Sequence, residues 1–160
     1  MRKNNPIRKI VKGIFLCCFT ILVAGKIQSQ TFSQFYVNVA PSFQAGSGNT
    51  TVINDSIWNA TVLLTIDSVV SLSSLNKIYL KYGTAQDSSD IAFDVYSFQQ
   101  QGNTFTISDI NNNVITTSQT RVFSFRKTFT KTKAKQIKYV TTYSSDQSNN
   151  LSTKQYDKVN

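Results

Sequence analysis

The chain has 160 residues, 40% of them hydrophobic and 16% charged, enough for one hydrophobic core and too few for two ordinary domains. Seventeen Lys and Arg face eight acids, all of them Asp, for a formal charge of +9, and the chain holds neither Glu nor His. Hydrolytic, redox and metal chemistry draws chiefly on His, Cys and Glu, so the composition points away from most enzyme classes and toward a non-enzymatic protein with no cofactor and no metal.

Residues 1–12 carry Arg2, Lys3, Arg8, Lys9 and Lys12 without an acid, and Gly13 to Gly25 then runs uncharged up to Lys26. This is the pattern of an N-terminal signal helix, and cleavage after Ser29 is expected, with Ile27 and Ser29 at the −3 and −1 positions. Thirteen residues at about 1.5 Å each span roughly 20 Å, short of the roughly 30 Å hydrocarbon core, which argues against a stable membrane span. Cys17 and Cys18 lie in mid-run and do not follow a small-residue lipoprotein motif. Residues 1–29 are therefore expected to be a signal peptide and residues 30–160 a single domain that is secreted, periplasmic or held at the cell surface. Loss of the leader removes six basic residues and no acid, lowering the formal charge from +9 to +3. The apparent basicity thus belongs mostly to the leader and gives no ground for nucleic-acid binding.

Beyond Gln30 the chain is rich in Ser, Thr, Asn, Val, Ile, Phe and Tyr, a strand composition. Phe35, Val37 and Val39 open the first strand, and Gln44 to Thr51 reads as a loop. From Ile57 to Asp67, Trp58, Ala60, Val62, Leu64 and Ile66 share one parity, predicting a strand with one buried face and Trp58 in the core. Asn76 to Thr84 places Ile78, Leu80 and Tyr82 inward and Lys77, Tyr79 and Lys81 outward. Ile91 to Phe98 is apolar on both parities, as in a strand covered on both sides or one that changes sheets. Gln101-Gly102-Asn103 is a turn signal, followed by alternating Phe105 and Ile107. Further strands are expected over Val122 to Phe129, over Gln136 to Ser144 with Ile137, Tyr139 and Tyr143 on one parity, and over Leu151 to Val159. About eight short strands with no convincing helix after the leader predict an all-β fold, an antiparallel two-sheet sandwich, although alternation alone also permits a closed barrel.

The segment Tyr139-Val140-Thr141-Thr142-Tyr143-Ser144-Ser145-Asp146, followed by Asn149-Asn150-Leu151-Ser152, resembles the penultimate strand, polar turn and final strand of bacterial immunoglobulin-like or fibronectin-type-III-like modules. Asn149 stands where Gly is common, and Asn tolerates the left-handed conformation such a turn needs. The resemblance spans about twenty residues. It implies an immunoglobulin-like sandwich of an adhesive, spacer or ligand-presenting kind and carries over no catalytic residue.

Three features bear on function. Arg126, Lys127, Lys131, Lys133, Lys135 and Lys138 occur with no acid between Asp109 and Asp146, a candidate anion-binding loop, whose plainer reading is a solvated hairpin loop that discourages strand-to-strand pairing. Tyr36, Tyr79 and Tyr156 are candidates for glycan stacking if strand parity exposes them. Asp87, Asp90 and Asp94 lack the ligand ladder of a helix-loop-helix calcium site and read as turn formers. The expected function is adhesion, assembly or structural protein binding; the alternative is a carbohydrate-binding module. The expected partner is a protein or a cell-surface polysaccharide.

Overall fold

The computed structural model describes residues 30–45 and 51–159. The leader and its predicted cleavage point lie outside the described residues, as do residues 46–50 of the predicted first loop.

The described residues form nine strands: β1 (Phe32–Ala45), β2 (Thr51–Ile66), β3 (Leu75–Gly83), β4 (Ala92–Gln101), β5 (Thr104–Ser108), β6 (Val114–Ser118), β7 (Val122–Thr130), β8 (Tyr139–Asp146) and β9 (Gln155–Lys158). All strand pairs are antiparallel. One sheet has the order β1-β2-β7 and the other β6-β5-β4-β3-β8-β9. They pack face to face through a layer of rings: Tyr82 meets Phe129 edge-on, Tyr96 tilts against Phe125, and Phe98 and Phe105 each meet Phe123 edge-on.

Period-two patterning explains the packing. Ala60, Val62, Leu64 and Ile66 on β2 are buried, as are Ile78, Leu80 and Tyr82 on β3, Phe105 and Ile107 on β5, and Phe123, Phe125 and Phe129 on β7. Each buried aliphatic or aromatic side chain stabilises the fold by roughly 1.5–3 kcal/mol. Trp58 is only partly buried, packed on the core margin, because the β1–β2 register shifts between Pro41 and Ser42 just beside it.

Three elements differ from the sequence reading. Six residues, Lys131–Gln136, form a helix, α1, after β7. The Thr130 side chain accepts a hydrogen bond from the Lys133 N–H, and Lys133 and Lys135 sit in the last turn, where cations suit the helix dipole. The additional strand β6 is mostly exposed, so its sequence carries little alternation. On β8 the register pairs Val140, Thr142 and Ser144 with Tyr82, Leu80 and Ile78, so the core side of this strand is Val140, Thr142 and Ser144. Tyr139 and Tyr143 face the other way, and Ile137 joins the core from the connection ahead of the strand.

Turn chemistry fixes the hairpins. Gly102, at φ +58°, lies in the two-residue connection between Gln101 and Thr104, where a side chain would be strained. Gly83 is required for a different reason: a Cβ there would come within 2.5 Å of the Ser88 carbonyl oxygen. A five-residue turn is built twice, at Asp109–Asn113 and Asp146–Asn150. In each, the Asp carbonyl accepts from the fourth residue's N–H, Asp Oδ1 accepts from the third and fifth N–H groups, and the fifth-residue Asn side chain donates to Asp Oδ2. The fourth residues, Asn112 and Asn149, are left-handed at φ 63° and 61°, so Asn149 adopts the conformation expected of it.

Candidate functional site

β5 pairs with β4 only from Ser97 onward, so among the described residues Ala92 to Tyr96 have β3 on one side and no strand on the other. β7, at the edge of the opposite sheet, runs past the same gap. Between them lies a cleft of about 360 Å³. Its apolar wall is Phe93, Ile110 and Ile115, all substantially exposed. Its polar lining is Asp94, Tyr96, Asp109, Arg126, Lys127 and Thr128.

Sheet geometry sets each role. On β4, Tyr96 and Phe98 point into the core while Phe93 stands on the outer face, 48% exposed. Asp94 bridges the two sheets by pairing with Lys127 of β7 and accepts the Tyr96 hydroxyl at 3.2 Å. Burial, reinforced by the Asp94 charge, pushes the Tyr96 phenol far above its ordinary range, so it remains a neutral donor. Tyr82 lies deeper; burial raises its phenol too, with Tyr96 and Asp94 contributing. The Tyr82 hydroxyl is buried without a hydrogen-bond partner among the described residues.

Phe93 ends a row of parallel rings crossing the outer face. Its centroid is 6.2 Å from Tyr79, which stacks on Tyr143 at 4.6 Å. Asp87, itself at φ 59°, clamps the loop after β3 onto this face by pairing with Lys81 at 2.8 Å and with Lys154, while its N–H donates to Thr141 Oγ1 at 3.1 Å. Hydrogen bonds from Lys154 and Lys81 hold the Asp87 carboxyl below the usual range. The two lysines also lie 5.6 Å from the Tyr143 ring centre.

The predicted site residues are distributed as follows. Tyr79 and Tyr156 share the outer face of the six-stranded sheet, with Tyr156 45% exposed, whereas Tyr36 stands outward on the other sheet opposite Leu63. Tyr79 is flanked by Tyr143 and Phe93, which leaves Phe93 as the terminal ring of the row. The six basic residues do not form a loop: Arg126 and Lys127 are on β7, Lys131, Lys133 and Lys135 on α1, and Lys138 in the connection to β8. Arg126 and Lys127 line the cleft, Lys131 pairs with Asp55, and Lys135 lies 6.0 Å from the Trp58 ring. β7 is an edge strand, so its cations sit where like charge opposes pairing with another such edge.

The three carboxylates of the predicted turn serve three structures. Asp87 forms the clamp and Asp94 the cleft floor. Asp90 accepts from Thr84 N–H at 3.0 Å and Thr84 Oγ1 at 2.7 Å, as well as from Ser88 Oγ. Those bonds, Ser88 first, lower its pKa to about 2. Among the described residues no group of three or more His, Cys, Asp or Glu side chains could hold a metal ion, and no helix is long and apolar enough to cross a membrane. A second hollow, about 700 Å³, opens at the other end of β4 between Leu72, Phe98, Gln99, Gln101 and Gln147.

Sequence reasoning singled out Arg126, Lys127 and Asp94 for other reasons and passed over Phe93, Ile110 and Ile115. The double-parity apolar run from Ile91 to Phe98 was the available signal: its outward member is the cleft wall. Comparison with family models, with curated proteins and with solved structures finds no match for the chain.

Proposed function

We propose that this protein is an exported, non-enzymatic β-sandwich module of immunoglobulin-like type that works by binding, in adhesion or assembly at the cell surface or in the periplasm. Two features support the immunoglobulin-like assignment. The orders β1-β2-β7 and β5-β4-β3-β8-β9 parallel the A-B-E and C″-C′-C-F-G arrangement of variable-type domains, with β6 joined to β5 in place of a fourth strand beside β7. The Asp146–Asn150 turn has the left-handed fourth residue that the resemblance requires.

The observation that carries the binding reading is the cleft between β4 and β7, a concave surface with an apolar wall and convergent polar groups on a two-sheet scaffold. Its test is capture of envelope components by the exported protein, comparing wild type with Thr128→Trp, which fills the cleft from an exposed position. Capture lost in the variant while its thermal unfolding is unchanged supports the reading; equal capture by both proteins refutes it. The exposed ring of Phe93 on the cleft wall favours a second reading, a carbohydrate-binding module, since exposed aromatic rings suit the apolar face of a sugar.

A further inference from the structure

The basic segment and the aromatic row meet at the cleft, and their combined chemistry narrows what it accepts. Asp94 and Asp109 supply two carboxylates, Arg126 and Lys127 two cations, so the ionisable Asp, Arg and Lys side chains of the lining carry no net formal charge. A polyanion finds no net attraction in such a lining, since the two carboxylates offset the two cations. Lys127 is already paired with Asp94, and Asp109 Oδ1 and Oδ2 are engaged by Asn111 and Asn113.

A neutral sugar meets the opposite situation. Its hydroxyls both donate and accept, and the lining offers the Arg126 guanidinium, the remaining Lys127 ammonium hydrogens, the unused lone pairs of the carboxylates and the Thr128 oxygen, which donates to Asn59 and can still accept. Its apolar ring face matches Phe93, the exposed end of the ring row, stacked on Tyr79 at 6.2 Å. The wall is completed by Ile110, 77% exposed, an isoleucine that packing in this chain does not account for. From the exposed ring, the balanced charge and the gap left by β5, we infer that the cleft binds a neutral pyranose unit of a glycan, with the ring against Phe93 and hydroxyls on Arg126. This inference rests on the carbohydrate-binding reading.

The test is affinity electrophoresis of the protein, without residues 1–29 as exported, through gels containing a neutral glucan, galactan or mannan and through gels containing polygalacturonate. Retardation by at least one neutral polymer is expected, unchanged by 0.5 M salt because no net charge is neutralised, where "0.5 M" is about three times the ionic strength that already screens exposed charges beyond roughly 8 Å. Phe93→Ala should weaken retardation about two- to thirteenfold, the effect of losing one ring contact of about 0.5–1.5 kcal/mol, while Phe93→Tyr retains it. Lys133→Ala, outside the cleft, should change nothing. Retardation by polygalacturonate alone, abolished by salt, would overturn the neutral-sugar inference and leave carbohydrate binding standing. No retardation in any gel would overturn both, as would binding that Phe93→Ala leaves intact overturn the assigned site.

Discussion

The two long sides of the molecule are closed in different ways. On the β1–β9 side, side chains reach across to β1 or the residue before it: Asp157 Oδ2 accepts the Val37 N–H at 2.8 Å, Gln155 Nε2 donates to the Phe32 carbonyl at 2.9 Å, and the Thr31 and Ser144 hydroxyls share a buried bond at 2.6 Å. Edge groups of β1 are thereby occupied. On the β4–β7 side the sheets are tied by ring packing and by the Asp94–Lys127 pair, and a cleft remains. One side spends its polar groups on closure, while the other closes with one ion pair and leaves a cleft beside it, the proposed binding surface.

Breaking each side should show this asymmetry. Phe125→Ala removes the ring that packs on Tyr96 beneath the cleft and should cost about 3–5 kcal/mol in chemical denaturation, the largest effect among these variants. Asp157→Ala leaves the Val37 N–H without its acceptor and should cost about 1–3 kcal/mol. It should also raise light scattering at high concentration, because part of the β1 edge becomes available to other chains; Phe125→Ala at equal fraction folded should not do so. Acidification sharpens the comparison further. Asp87, Asp90 and Asp109 have folded-state pKa values below the unfolded value near 3.9, so the stability they contribute is full above about pH 5 and is lost as pH falls through the folded values, toward about pH 2 for Asp90. With no His in the chain, the urea midpoint should be level from about pH 5 to 8 and drop below pH 4. Asp87→Asn should reduce that acid-side drop.

Strands with one core face were legible because burial alternates along them: β2 from Ala60 to Ile66, β3 from Ile78 to Tyr82 and β5 throughout follow their parity. β8 was not, since its outward face is also covered, by Tyr79 and Lys154 over Tyr143 and by the Asp87 loop over Thr141, so polarity no longer marks direction. α1 was hidden in a Lys- and Thr-rich stretch whose helix depends on the Thr130 cap. The double-parity run from Ile91 to Phe98 marks Phe93 on the cleft wall, but the cleft itself arises from where β5 stops pairing with β4, a property of register and not of any residue type. Its lining comes from four separate segments, of which the sequence marks Arg126, Lys127 and Asp94 by charge and neither Ile110 nor Ile115 of the apolar wall.

The twin turns allow the smallest and cleanest comparison, since one borders the cleft through Asp109 and Ile110 and the other lies at the end of β8. Asn112 and Asn149 hold nearly the same left-handed φ, and Gly would relieve it at the cost of a more flexible unfolded chain. Each Asn→Gly change should therefore stabilise by a few tenths of a kcal/mol, roughly 1–3 °C in Tm, and by the same amount in both turns because the hydrogen bonds are the same. Binding should separate them. Asn112→Gly loosens the chain beside the cleft wall and should weaken glycan retention modestly, whereas Asn149→Gly should leave it unchanged; equal retention in both variants with equal stabilisation would mean that the Asp109–Asn113 turn plays no part in shaping the cleft.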